Sequence, residues 1–289
     1  MDREAQHKWA EKAIFAIDGL LPEGNVEFSD WLVYERLADN AKVCYQWIIN
    51  FSINTIEAAR ILAQFATYLQ KAKADYKQTE LLKKTSLDIY KNLFGRQSPE
   101  YAISLNDLAV YFGDVKKYSE AENFFKQSLA IKEIVLNEND PRIATTLNNL
   151  AWVYDEQNKY IESKPLRKRS VYIMEVAFGK NSIEVSTCLN NFAEWYRQQG
   201  KYSEAEPLCL RAKEITLTAL GKYHPDYAIT LNNLAGLYRD SSRYVEAELL
   251  YQESIEIFEN TLGNDHPDTK KVKSNYQKLL TAKKKSLYG

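Results

Sequence analysis

Apolar side chains recur along most of the chain in steps of three and four residues, which is the spacing of one face of an α-helix. In one stretch Leu147, Leu150, Ala151 and Tyr154 share such a face, with polar residues between them. A five-residue phrase, Leu-Asn-Asn-Leu-Ala or a close variant, begins at four positions: Leu105, Leu147, Leu189 and Leu231. Each copy begins 42 residues after the one before. A fixed period of this size predicts a stack of like supersecondary units rather than one globular core.

Each unit is predicted to contain two helices, here called helix A and helix B. Helix A begins at a proline that follows a capping or turn residue: Pro99, Pro141, Pro225 and Pro267, with Ile183 in place of proline once. Proline suits the first helical position, where its missing N–H had no partner. Helix B begins at a tyrosine after a polar turn: Tyr118, Tyr160, Tyr202 and Tyr244. Its end is expected at left-handed stop residues: Gly95, Gly179, Gly221 and Gly263, with Asn137 as the exception.

The pattern divides the chain into three parts. Residues 1–54 lack the sequence pattern of the repeats, and we expect them to form an N-terminal helical cap. Residues 55–265 predict five units, of which the first is degenerate and has one extra residue in its turn. Residues 266–289 predict one more helix of the first type, which caps the stack, and a tail, because the end of a solenoid would otherwise expose apolar surface. Its lysines are expected to face solvent, and an acidic partner for them stays open as the alternative. The expected fold class is therefore all-α, a solenoid of helix-turn-helix repeats.

The spacing of small and aromatic residues in helix B, with Tyr202, Ala205 and Ala212 as one example, resembles the tetratricopeptide repeat. The 42-residue period and the spelling TLNNLA followed by G-x-YHPD are similar to the kinesin-light-chain subclass. This resemblance implies a right-handed superhelical solenoid in which the A helices line a concave groove. It also implies that the groove binds a protein or peptide partner.

Residues 1–70 resemble the segment that joins the NTPase core to the repeats in bacterial NB-ARC (STAND) signalling ATPases. That resemblance implies a ligand-sensing arm. No GxxxxGK[ST] loop occurs in the sequence, so the nucleotide-binding loop of such an ATPase is not in this chain. Fusion to or association with an NTPase stays open as an alternative, and so does self-association.

Charge and candidate chemistry narrow the function further. The formal net charge is −1, which gives no reason to expect nucleic acid or an anionic membrane as a partner. No stretch is apolar enough to span a membrane, and the three scattered cysteines suit a reducing cytoplasm. His224 and His266 precede helix-opening prolines and are interpreted as turn residues. We find no catalytic constellation and expect neither an enzyme, nor a metal site, nor a cofactor.

The candidate site is the helix A face opposite the buried leucines. An asparagine offers a donor and an acceptor, so one per repeat can bind the backbone of an extended peptide. By position in the resembled family, the second asparagine of each pair makes this contact: Asn149, Asn191 and Asn233. The first may instead bond a neighbouring helix and set the repeat geometry, and both roles stay open for Asn148, Asn190 and Asn232.

Specificity is expected from the groove positions that vary between repeats: Trp152, Glu194, Arg197 and Arg239. Trp152 is a candidate anchor for a partner's side chain, and the alternative that it covers a neighbouring helix stays open. The two arginines are candidates for binding an acidic group. Acidic neighbours, among them Asp155 and Asp240, make the groove mixed in sign. A basic cluster, Lys164, Arg167, Lys168 and Arg169, is expected to form a solvated convex face. The predicted function is thus a non-enzymatic protein-interaction scaffold.

Overall fold

The computed structural model describes residues 2–24 and 26–288, and across those residues it contains thirteen α-helices and no strand. The helices are α1 (Arg3–Asp18), α2 (Trp31–Phe51), α3 (Ile56–Tyr68), α4 (Tyr76–Phe94), α5 (Pro99–Asp114), α6 (Tyr118–Val135), α7 (Pro141–Glu156), α8 (Tyr160–Phe178), α9 (Ile183–Gln198), α10 (Tyr202–Leu220), α11 (Pro225–Asp240), α12 (Tyr244–Thr261) and α13 (Pro267–Tyr288). The predicted all-α repeat fold is confirmed.

The chain forms two compact units, residues 1–138 and residues 139–289. In the first unit α3 packs with α4 and α5 with α6, which makes repeats one and two. In the second unit α7 with α8, α9 with α10 and α11 with α12 make repeats three, four and five. Helix α13 then packs mainly against α12. In each repeat the earlier helix is helix A and the later one is helix B.

The predicted helix starts agree with the structure. Helices α5, α7, α11 and α13 begin at the four prolines, and the Ser98 hydroxyl and the Asp140 carboxylate accept backbone N–H bonds as N-caps. His224 and His266 also cap, because each Nδ1 accepts the N–H two residues on, at 3.1 and 3.2 Å. The two histidines are therefore more than turn residues, since their rings satisfy a donor at the start of a helix.

The predicted left-handed helical conformation at the ends of the B helices is wrong for α4, α6, α8 and α10. Gly95, Gly179 and Gly221 have φ of 79°, 87° and 85°, but their ψ of 172°, 155° and 170° lies outside the left-handed helical region. That combination is open essentially to glycine alone, so the residue type is explained although the geometry differs. Asn137 is not a left-handed stop either. Helix α6 ends at an extended Leu136, with φ of −114° and ψ of 164°.

The left-handed residue lies instead in the turn between helix A and helix B. Lys116, Asn158, Gly200 and Ser242 hold this position with φ of 62°, 60°, 69° and 64°. The next N–H then bonds a carbonyl five residues back, as from Arg243 to Tyr238 at 2.8 Å. This is a Schellman motif, which satisfies a carbonyl that the end of helix A leaves unpaired.

One buried hydroxyl aligns the two helices of each repeat. A serine on helix B donates to an alanine carbonyl on helix A: Ser86 to Ala59 at 2.8 Å, Ser128 to Ala102 at 2.6 Å, Ser170 to Ala144 at 2.9 Å and Ser254 to Ala228 at 2.7 Å. Repeat four exchanges the partners. There helix A carries Ser186, which donates to the carbonyl of Ala212 on helix B at 3.1 Å. The hydrogen bond between the two helices is retained because the serine and the alanine have exchanged helices together.

The N-terminal helices α1 and α2 share a buried core with α3 and α4. The buried carboxylate of Asp18 on α1 accepts both Nε and Nη2 of Arg60 on α3, with Nε at 2.6 Å from Oδ1. Several large apolar side chains of α1 and α2 nevertheless stay at least 60 % exposed, among them Trp9, Phe15 and Leu32. In repeat one the extra residue of the turn is taken up by a π-helical segment, Leu69–Lys73, followed by Ala74 with φ of 52°.

Candidate functional site

Two cavities in the second unit contain all ten residues that the sequence predicted for the groove. The Trp152 cavity has a volume of about 280 Å³ and includes Asn148, Asn149, Trp152, Asn191 and Glu194 in its lining. The Gly236 cavity has a volume of about 460 Å³ and includes Asn190, Asn191, Glu194, Arg197, Asn232, Asn233 and Arg239 in its lining. Asn191 and Glu194 line both. The two cavities therefore adjoin, and together they are called the groove below.

The second asparagine of each pair faces the groove with its amide largely available. Asn149 and Asn191 make no hydrogen bond to any residue that the structure describes, and both are half-buried. The side-chain Oδ1 of Asn233 accepts one long bond from Asn232 Nδ2, at 3.5 Å. These side chains can therefore offer a donor and an acceptor to a bound molecule.

The first asparagine of the pair is engaged between helices in two of the three repeats. Asn148 Oδ1 accepts from Arg167 Nη1 at 3.0 Å, and Asn232 Oδ1 accepts from Asn275 Nδ2 at 3.1 Å. Of the two roles left open, these bonds favour the structural one for Asn148 and Asn232. Asn190 differs, because it is buried and its Oδ1 has no hydrogen-bond partner.

Arg167 does not belong to a solvated convex cluster, and that expectation is wrong for this residue. Its side chain is 7 % exposed, and its Nη2 donates to Asp155, whose side chain is equally buried. Arg167 lies two full periods after Lys83 and two before Tyr251, at a position of helix B that packs toward helix A. Asp155 Oδ1 and Arg167 Nε have no partner of their own. Asp155 was predicted to face the groove, but its carboxylate is buried and pairs with Arg167, so little of it is available to a ligand.

Arg197 and Arg239 are partly neutralised inside the groove. Arg197 donates Nε to Glu194 at 2.7 Å and a terminal nitrogen to Asp240. Arg239 donates Nε to the other oxygen of Asp240, also at 2.7 Å. The terminal nitrogens of Arg239 make no hydrogen bond to the described residues. The groove is therefore mixed in sign, as predicted, and Arg239 is the arginine with donors to spare.

Four residues that were not among the candidates also line the Gly236 cavity: Ile229 on α11, Tyr251 on α12, and both Lys271 and Asn275 on α13. Helix α13 was interpreted as a solvated cap, yet one of its faces completes the cavity wall. A signal for Tyr251 was present, because it occupies the same repeat position as Arg167. The same period points to α13, because Lys271 lies 42 residues after Ile229 and Asn275 lies 42 residues after Asn233.

One cavity of the first unit, lined by helices of repeats one and two, is smaller than the groove cavities and contains charged side chains. It has a volume of about 130 Å³, and Lys83, Tyr90, Ser104 and Asp107 contribute to its lining. Asp107 stands where repeats three to five have the second asparagine. Burial lowers the pKa of Lys83, and the nearby Asp107 carboxylate partly opposes this shift. Burial likewise raises the pKa of Asp107. The run of asparagines thus belongs to the second unit.

Residues 2–24 and 26–288 contain no group of three or more histidine, cysteine, aspartate or glutamate side chains placed to hold a metal ion. None of their helices combines the length and the apolar character that crossing a membrane requires.

The stacked two-helix units, the Schellman turns and the asparagine-lined groove define a helical repeat protein. The family model described as Tetratricopeptide repeat matches residues 57–134, 142–208, 184–260 and 226–276, which is more than half of the chain. The chain belongs to the tetratricopeptide repeat family. No curated protein matches it in sequence.

Solved structures with the same fold include kinesin-light-chain-like proteins. The nearly identical TPR-like repeats of a kinesin light chain candidate from Podosopora anserina share 20 % identity, with a TM-score of 0.58, over 70 % of this chain and 95 % of that one. BtubC (BKLC) from P. vanneervenii shares 18 % identity, with a TM-score of 0.61, over 91 % and 93 %. The apo form of the quorum sensor NprR from B. thuringiensis shares 12 % identity, with a TM-score of 0.60, over 97 % and 70 %.

Proposed function

We propose that this protein is a non-enzymatic interaction scaffold that binds an extended segment of a protein or peptide in the groove of residues 139–289. One observation carries the proposal. Asn149 and Asn191 line the two adjoining cavities and have no hydrogen-bond partner among the described residues. A peptide backbone needs such paired donors and acceptors whatever its side chains are.

The residues around the asparagines would then select the partner. Trp152 is half-buried in the wall of one cavity, where a large aromatic side chain can anchor a partner's side chain. Arg239 has free donors in the other cavity, and Glu194 lies where the two cavities meet. The quorum sensor NprR shares the fold, so a sensor is among the proteins built on this kind of repeat.

Substitution of both asparagines tests the proposal. Probes are peptides selected from a random library against the whole chain. Asn149→Ala with Asn191→Ala is expected to weaken their binding by about 1–3 kcal/mol, because each truncated amide leaves a peptide group unpaired. The melting temperature should barely change. Asn181→Ala is the matched control, since Asn181 is exposed and lies outside the groove. Unchanged affinity together with a large loss of stability would assign both asparagines a structural role.

A second candidate, the sensor arm of a signalling ATPase, is favoured by the exposed apolar side chains of α1 and α2. Trp9, Phe15 and Leu32 present a surface on which another domain can pack. Reading the genomic frame upstream of Met1 tests this candidate, because a contiguous P-loop domain supports it and an in-frame stop codon opposes it. Sedimentation of the isolated chain tests the remaining partner, a second copy of itself.

A further inference from the structure

Gly236 lies in the interior of helix α11, where glycine weakens a helix relative to alanine. Its backbone is helical, so no left-handed conformation requires it. A Cβ added there would meet only the Tyr251 hydroxyl, at 3.6 Å, which is ordinary van der Waals contact. The same position carries Val110, Trp152 and Glu194 in repeats two, three and four. Neither backbone nor packing therefore demands a glycine, and what it provides is open space.

The space that Gly236 leaves has an excess of positive charge. Arg197, Arg239 and Lys271 line the cavity, and the acids bonded to the two arginines are Glu194 and Asp240. Lys271 makes no ion pair with the described residues, and the terminal nitrogens of Arg239 are unbonded. One positive charge is thus left without a partner beside a cavity of about 460 Å³.

The cavity also supplies a neutral donor. The Tyr251 side chain is 1 % exposed, and its hydroxyl lies nearest to the site of a Cβ on residue 236. Burial raises the pKa of Tyr251, so the hydroxyl keeps its proton at neutral pH. A guanidinium, an ammonium and a hydroxyl that converge on one space suit a singly charged oxygen anion. A doubly charged phosphate fits less well, because Glu194 and Asp240 would repel its second charge.

We propose that the Gly236 cavity is a side-chain subsite that receives a carboxylate from an acidic residue of the bound segment. Arg239 and Tyr251 donate to the carboxylate oxygens, and Lys271 supplies the balancing charge at the rim. The subsite rests on the proposed function, since it reads one residue of a peptide held by the asparagines. With this subsite, the fifth repeat would bind an acidic segment more tightly than a neutral one.

The test uses the tightest peptide from the random library, capped at both ends, with each Asp or Glu replaced in turn by Asn or Gln. One replacement is expected to weaken binding to the wild-type chain by about tenfold or more, as for a hydrogen-bonded charge. Gly236→Leu fills the cavity and should bind the acidic and amide peptides equally. Tyr251→Phe should reduce the preference without changing the affinity of the amide peptide.

Melting temperatures show whether a variant loses its preference for the acidic peptide because it is misfolded. Gly236→Leu should melt no lower than wild type, because a helix gains from losing its glycine. Val110→Leu, a substitution at the same repeat position in the first unit, should leave peptide binding unchanged. A selected peptide without an acidic residue, or one whose replacements have no effect, would overturn the subsite while the proposed function stands.

Two further outcomes locate the carboxylate and separate the two proposals. If freeing the peptide's C-terminus restores binding that a side-chain replacement has lost, the subsite takes a chain end, and the acidic side chain is overturned as its source. If no replacement matters and the paired asparagine variants also bind normally, the groove is not the binding site and the proposed function fails as well.

Discussion

Repeats three and five use three equivalent positions in opposite ways. Repeat three carries Trp152, Asp155 and Arg167, and repeat five carries Gly236, Arg239 and Tyr251 at the same spacings. In repeat three the arginine and the aspartate are buried against each other. In repeat five the arginine keeps free donors and the glycine leaves a cavity. In repeat three the two charges are paired with each other inside the protein, whereas repeat five has charge available to a ligand.

The frame around these positions is the same in both repeats. Ser170 and Ser254 each donate to an alanine carbonyl of their helix A, at 2.9 and 2.7 Å. Asn158 and Ser242 each hold the left-handed position of the turn. A difference in chemistry between the two repeats therefore comes from side chains rather than from the backbone, and substitutions can test it.

The largest expected effect is a difference in stability between a substitution at Arg167 and one at Tyr251, which occupy the same repeat position. Arg167→Met leaves the Asp155 carboxylate buried without its partner, and we expect a loss of about 3–5 kcal/mol in the free energy of unfolding by urea. Tyr251→Phe removes a hydroxyl that has no hydrogen bond among the described residues, so the change should stay within about 0.5 kcal/mol.

The double variant Arg167→Met with Asp155→Leu is the control for this pair. It should recover most of the lost stability, because no buried charge remains. If Arg167→Met lowers the free energy of unfolding no more than Tyr251→Phe does, then the two repeats do not differ in the way proposed. In that case the charge of Arg167 would not be needed to hold repeat three together.

A smaller effect is expected at the shared serine bond. Ser170→Ala and Ser254→Ala should each cost about 1 kcal/mol, because each removes one buried hydrogen bond. Adding Ala144→Ser to Ser170→Ala copies the exchange seen in repeat four and should restore much of the loss. A double-mutant cycle from urea denaturation measures this coupling, and a coupling of zero would show that the hydroxyl does not align the helices.

The smallest effect is expected in the turns. Ser242→Gly should stabilise the chain by about 0.5–1 kcal/mol, because serine tolerates the left-handed conformation poorly. Asn158→Gly should gain less, since asparagine adopts this conformation more readily. Thermal unfolding of the two variants side by side gives the comparison. Equal gains would mean that the residue type at this turn is immaterial.

Periodicity explains why so much of the groove was predictable. Once one helix A is aligned on its leucines, a 42-residue step carries every other side chain to an equivalent place, which is why all ten candidates line the two cavities. Their role in binding stays a prediction. Prolines and tyrosines marked the starts of most A and B helices for local steric and capping reasons, without any knowledge of the packing.

The misses arise where packing overrides local chemistry. Arg167 lies among other basic residues and was interpreted as solvated, yet its repeat position is a core position and its partner Asp155 lies on another helix. Lys271 lies one period after Ile229 and could have been placed in the groove, but its helix was interpreted as a solvated cap because it is rich in lysine. The positive φ of the B-helix glycines was expected, but their ψ depends on how the chain enters the next helix.

The exchange of Ser186 and Ala212 in repeat four decides which segments of the chain can be swapped between repeats. In every repeat the hydroxyl and the carbonyl that align the two helices belong to the same hairpin. A whole hairpin that is cut out and inserted elsewhere takes its alignment with it, whereas a crossover inside a hairpin can join two serines or two alanines. Repeat four is thus portable as a unit, and a hybrid of its helix A with the helix B of repeat three would pair Ser186 with Ser170.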